Sequence, residues 1–94
     1  MMEITIQYTG QLAGITGAGE EVVELADGSS VASLVSQLCT KHGSQYADLL
    51  VNSEGEIRPS TLVILDGVQT EGERSEILLE GVRAVMLMTP IAGG

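Results

Sequence analysis

Few residues of this chain could carry chemistry, and they are dispersed. Gly93-Gly94 end the sequence, Cys39 and His42 stand three apart, Lys41 is the single lysine, and Met86 and Met88 alternate in an apolar run. A terminal carboxylate is a poor electrophile until it is adenylated. An enzyme that adenylates it must draw the chain end to ATP while the folded body stays outside. Two residues without Cβ pass a narrow channel and adopt φ/ψ values closed to other residues. The pair Gly93-Gly94 therefore points to acyl chemistry at the Gly94 carboxyl, performed on this chain by a partner.

The other candidates point to structure. Cys39 falls on an apolar helical stripe and reads as a buried core thiol, because a reactive thiol needs an exposed, electropositive setting. With one cysteine, one histidine and no CxxC or HxxxH spacing, no metal site is expected. The glycines of 10–19 lack the Lys-Ser/Thr of a phosphate loop, and Glu20-Glu21 after them would repel phosphate. Lys41 and the amino terminus are the only amines on which a second copy could be conjugated.

These residues must be held by a small scaffold. Glu3 to Thr9 alternates, with Ile4, Ile6 and Tyr8 on one face, which predicts a half-buried strand. Glu20 to Leu25 reads as a second strand, so residues 3–25 form a hairpin, and the four glycines between Gly10 and Gly19 predict a mobile connection. Ser29 or Ser30 supplies an N-cap. Val31, Leu34, Val35, Leu38 and Cys39 then mark one face of a helix of about three turns that ends at Gly43. Lys41 and His42 sit in its last turn, where the dipole favours cations. Tyr46, Leu49 and Leu50 predict a short helical turn, and 52–59 a polar loop. Thr61 to Leu65 reads as a buried strand ending at Asp66-Gly67, 68–81 as a polar segment around Ile77-Leu78-Leu79, and Arg83 to Thr89 as the last strand. Val85 and Leu87 are expected to face the helix. Met86 and Met88 then point outward, where easily repacked side chains suit partner docking.

The first and last strands are both apolar, and neither suits an exposed edge. Pairing them in the centre of one sheet over the helix buries every stripe. The expected fold is therefore α+β: a β-grasp domain over 1–89, with a mixed sheet of four to five strands on one main helix. Pro90 cannot donate to a sheet ladder, so 90–94 is expected to be an extended, flexible tail.

Composition narrows the partners. Thirteen acids against four basic residues give a net charge of −9. Phosphate neutralisation needs clustered Lys and Arg, so no direct nucleic-acid binding is expected. A basic patch on a partner protein suits such a surface better. No apolar run reaches the roughly 20 residues of a bilayer span, and the N-terminus lacks the pattern of a signal peptide. A cytoplasmic protein without membrane contact is the expectation.

The chain resembles the sulfur-carrier branch of the ubiquitin-like proteins, which includes the molybdopterin synthase small subunit, the thiamine-pathway sulfur carrier and the ubiquitin-related modifier. Three stretches carry the resemblance. Tyr8-Thr9-Gly10-Gln11-Leu12-Ala13 through Glu24-Leu25 to Asp27-Gly28-Ser29-Ser30-Val31 is similar to the first hairpin and helix entry. Ile57-Arg58-Pro59-Ser60-Thr61 through Asp66-Gly67 is similar to the modifier branch's R-P-G-led strand. Leu79-Glu80-Gly81 through Pro90-Ile91-Ala92-Gly93-Gly94 ends close to the P-V-A-G-G tail of the carrier branches. The family's D-G-D before the last strand is here Glu80-Gly81-Val82, and its late aromatic pair is Met86-Leu87-Met88.

The resemblance implies a carrier that is not itself a catalyst and binds no cofactor. Gly94, presented by Gly93, is adenylated by an E1-like enzyme that uses ATP. A persulfide donor protein supplies sulfur, and the thiocarboxylate passes it to a tRNA-thiolation enzyme or into cofactor biosynthesis. Some members also join this terminus to protein lysines. Met86, Met88, Pro90, Ile91 and Ala92 are the expected partner contacts. Two alternatives stand beside this reading. One is the small subunit of molybdopterin synthase, inserting its tail into the large subunit. The other is a ubiquitin-like interaction module that is never activated.

Overall fold

The computed structural model describes residues 1–70 and 73–89. The chain runs β1 (Met2–Tyr8), α1 (Gly10–Thr16), β2 (Glu20–Leu25), α2 (Val31–His42), α3 (Ser44–Leu50), β3 (Leu62–Leu65), β4 (Val68–Gln69) and β5 (Ala84–Met88). The strands form one sheet in the order β2-β1-β5-β3-β4. β1 and β5 pair in parallel at its centre, Ile6 opposite Val85 and Tyr8 opposite Leu87. The other pairs are antiparallel. This is the mixed β-grasp sheet expected from two apolar strands that each need a neighbour on both sides.

The core lies between one face of the sheet and α2. Ile4, Ile6, Val63, Val85 and Leu87 from the strands meet Val31, Leu34, Val35 and Leu38, all essentially without solvent exposure. Burying each such side chain contributes about 1.5–3 kcal/mol relative to leaving it in water. No aromatic ring belongs to this set. Tyr46 of α3 and Leu50 are also fully buried and close the core beside α2.

α2 begins as its sequence dictates. The Ser30 hydroxyl accepts from the Ser33 amide at 3.2 Å. The first-turn amides of Val31 and Ala32 donate to the Ile77 and Ser75 carbonyls, both at 2.9 Å. Segment 73–82 is thus ordered by the helix it caps, and Leu79 within it is fully buried. Arg74 fastens the same segment to the loop before β3, donating to the carbonyls of Thr61 and Arg58. With these donors satisfied, the N-terminus of α2 offers no free anion site.

Three expectations need correction. Residues 10–16 form a helix where glycine content predicts a mobile connection. The fully buried Leu12 draws the segment down, with Ala13 and Ile15 packed against the core. That outweighs helix penalties of about 1 kcal/mol per glycine. Cys39 is only partly buried. At 100° per residue it lies about 80° from Val31, on the margin of the stripe. β3, read as buried, has only Val63 fully covered, while Leu62, Ile64 and Leu65 are intermediate.

Asp66-Gly67 does more than end β3. Both residues have positive φ, 48° and 86°. That is the two-residue hairpin turn whose twist matches the flanking strands, and it returns the chain as β4. The Asp66 carboxylate accepts from the Arg83 and Ala84 amides at 3.1 and 2.9 Å. It thereby anchors the entry to β5.

Candidate functional site

Two features of the fold bear on the chain's end: the outer face of the sheet, and the side-chain cluster at the end of the sheet where β5 stops. Gly93 and Gly94, with Pro90, Ile91 and Ala92, lie outside the described residues. What the fold does position is Thr89 and the strand before it.

Alternation in β5 turns Val85 and Leu87 into the core and leaves Met86 and Met88 half-buried on the opposite face, as their sequence positions imply. Strand register places Ile64 directly opposite Met86 and Leu62 opposite Met88. All four are intermediate in exposure. They make a continuous apolar strip across β5 and β3 that no element among the described residues covers. Gln7 of β1 flanks Met86 on its other side. Leu62 and Ile64 escaped the sequence reading. A continuous apolar run on a strand outside the sheet's centre was the available signal that both faces must be apolar.

The second feature is polar. The Glu21 carboxylate accepts from the Tyr8 hydroxyl at 2.6 Å, meets His42 Nε2 at 2.6 Å and pairs with Lys41 Nζ at 2.5 Å. Tyr46 donates to the Tyr8 hydroxyl at 2.9 Å, in the core. The Tyr8 and Tyr46 rings meet edge to face, 5.8 Å between centroids. Burial alone would raise the Glu21 carboxyl, but its bonds from Lys41, Tyr8 and His42 outweigh that and hold it below the usual carboxylate range. Burial, reinforced by the hydrogen bond to Glu21, pushes the Tyr8 hydroxyl well above the ordinary tyrosine range, so it is a fixed donor.

This cluster ties β1, β2, the end of α2 and α3 together at one point. Tyr8 stands beside Leu87, two residues before Thr89. The cluster therefore lies beside the end of β5. Lys41 and His42, read from sequence as helix-dipole partners, are here ligands of one carboxylate.

Cys39 lines a cleft of about 380 Å³ between α2 and α3, with Val35, Ala47, Val51 and Ile57 among its walls. Burial pushes its thiol upward, away from the thiolate. Among the described residues no group of three potential metal ligands converges. No helix among them is long and apolar enough to cross a membrane.

The ThiS family model matches residues 6–94, from the end of β1 through the terminal glycines. This chain belongs to the ThiS family. Its fold is shared with other ubiquitin-like proteins. The crystal structure of small archaeal modifier protein 1 from Haloferax volcanii superposes with a TM-score of 0.81 at 18% identity, covering 99% of this chain and all of that one. Urm1 from Trypanosoma brucei gives 0.75 at 24% identity, over 98% of this chain and 95% of its own. A chain of the BexX/CysO complex of Amycolatopsis orientalis gives 0.68 at 24%, over 97% and 99%. No curated protein matches the chain in sequence. ThiS-family membership makes this domain a ubiquitin-like carrier in kind.

Proposed function

We propose that this protein carries sulfur on the carboxyl group of Gly94. In this reading an E1-like partner binds the Met86/Met88 face and draws residues 90–94 into its ATP site. The Gly94 carboxylate attacks the α-phosphate of ATP, pyrophosphate leaves, and an acyl adenylate forms. A persulfide on a donor protein then attacks the acyl carbon and AMP departs. A thiol reduces the resulting acyl disulfide, leaving the thiocarboxylate. Apart from the Gly94 carboxylate itself, the protein contributes no acid, base or nucleophile to these steps. It contributes a chain end without side chains and a rigid body that sets how far that end reaches.

The observation that carries the proposal is the family match running through Gly94. It is supported by a half-buried apolar strip on the strand that leads to that end. The structural relative from Amycolatopsis orientalis is itself part of a complex with a second protein, which is consistent with a carrier that works docked. The thiocarboxylate would serve tRNA thiolation or cofactor biosynthesis, the molybdopterin synthase small subunit being one form of the latter. Joining to lysines of other proteins would use the same adenylate.

Deleting Gly94 tests the proposal. With the activating enzyme of the same host, the full chain supports ATP–pyrophosphate exchange and the shortened chain supports none. No exchange by the full chain would leave an interaction module as the better account, and equal exchange by both would contradict the role given to Gly94.

A further inference from the structure

The outer face of the sheet carries a charge arrangement that folding alone does not favour. Glu3 of β1 stands directly opposite Glu24 of β2, and both side chains are exposed on that face. Like charges at directly opposed positions of an antiparallel pair destabilise a sheet. Glu20 adds a third carboxylate beside Gln7 along the same edge. None of the five strands contains a lysine or arginine, and the amino-terminal ammonium that precedes β1 lies 3.5 Å from the Asp27 carboxylate. Lys41, the nearest candidate on α2, is held by Glu21 on the inner side.

We infer that the acidic rim formed by Glu3 and Glu24 belongs to the same docking surface as the Met86/Met88 strip, and that it meets a basic patch on the activating partner. This rests on the carrier reading of that face and adds the chemistry of its partner. Strand spacing of about 4.8 Å and a rise of about 3.3 Å per residue put Glu24 roughly 16 Å from Met86. A single interface of ordinary size spans both. The partner would present an apolar hollow for the methionines and, on the β2 side, Lys or Arg side chains. A second copy of this chain is a poor occupant, since it would set one acidic rim against another. Nucleic acid is disfavoured for the same reason. Rim charges of this kind act mainly on the association rate.

The rim can be separated from the fold because the two respond oppositely to one substitution. Glu24→Lys replaces a repulsive pair by an attractive one with Glu3, so the variant should melt higher than the wild type, by about 2–6 °C for a domain of this size. The same variant should raise the KM for adenylation by the host's activating enzyme about 3- to 10-fold at low salt, with kcat unchanged. That difference should shrink as ionic strength rises. Glu54→Lys, on an exposed loop away from the sheet face, makes the same change in net charge and should leave KM within about two-fold of the wild type, as an exposed charge remote from the interface contributes little. Equal effects of the two variants, or no effect of Glu24→Lys, would overturn the inference while leaving the carrier reading intact. Failure of the wild type to be adenylated at all would instead contradict the carrier reading and remove the basis of this one.

Discussion

Removing the Glu21 side chain is the sharpest probe of the cluster that ties β1, β2, α2 and α3 together. Glu21→Ala deletes the acceptor of three hydrogen bonds, from Tyr8, His42 and Lys41. The Glu21 side chain is 15% exposed and that of His42 16%, whereas Lys41 is 53% exposed. Hydrogen bonds to a charged acceptor contribute about 1.5–3 kcal/mol each when little water competes. The half-exposed Lys41 pair is worth less than about 1 kcal/mol. Tyr8 keeps its bond from Tyr46, and His42 regains some hydration. The expected loss is therefore about 2–4 kcal/mol, read from urea unfolding at constant m-value.

The pH dependence has a definite sign. Glu21 titrates below the ordinary carboxylate range in the folded protein, so its contribution is complete above about pH 4.3, the unfolded value. It is lost as pH falls through the folded value. The gap between wild type and Glu21→Ala should be widest near neutrality and close in acid. A loss below about 1 kcal/mol, or a gap that does not change between pH 7 and pH 3, would refute the role given to this carboxylate.

Other perturbations separate the remaining claims. Met86→Glu with Met88→Glu should leave the unfolding midpoint within a few degrees but slow adenylation at least ten-fold, roughly the cost of one lost interface anchor; unchanged kinetics would remove the strip from the docking face. Leu12→Ala should cost about 2–4 kcal/mol in chemical denaturation. A loss near zero would mean that α1 is not held by its burial. Tyr46→Phe, which removes only the buried bond to Tyr8, should cost about 1 kcal/mol in the same assay.

How much of this was legible in the sequence follows from how local each signal is. α2 was written in a stripe of four buried positions between a serine cap and Gly43, and the alternation of β1 and β5 was equally local. Even the central pairing of those two strands followed from their apolar character. α1 was not legible, because what stabilises it is the burial of Leu12 against elements far along the chain, while its glycines argue locally for a loop. β4 has two residues, both exposed, which is too short for any period to register. The Glu21 cluster was invisible for a different reason. Its members, Tyr8, Glu21, Lys41, His42 and Tyr46, each had a sufficient local explanation, and only the fold brings them together. On the outer face of the sheet, Met86 and Met88 were legible through alternation but Leu62 and Ile64 were not. Their strand reads as uniformly apolar, so its two faces cannot be told apart until the register with β5 is known.

The account stands or falls on the Gly94 carboxyl. Intact-mass spectrometry of protein purified from its own host, followed by fragmentation, measures that group directly. The prediction is a population heavier by one oxygen-to-sulfur exchange, localised to Gly94 and increased by incubation with ATP, the activating enzyme and a persulfide donor. A terminus that stays an ordinary carboxylate under those conditions, or a chain that continues beyond Gly94 without being trimmed, would contradict it.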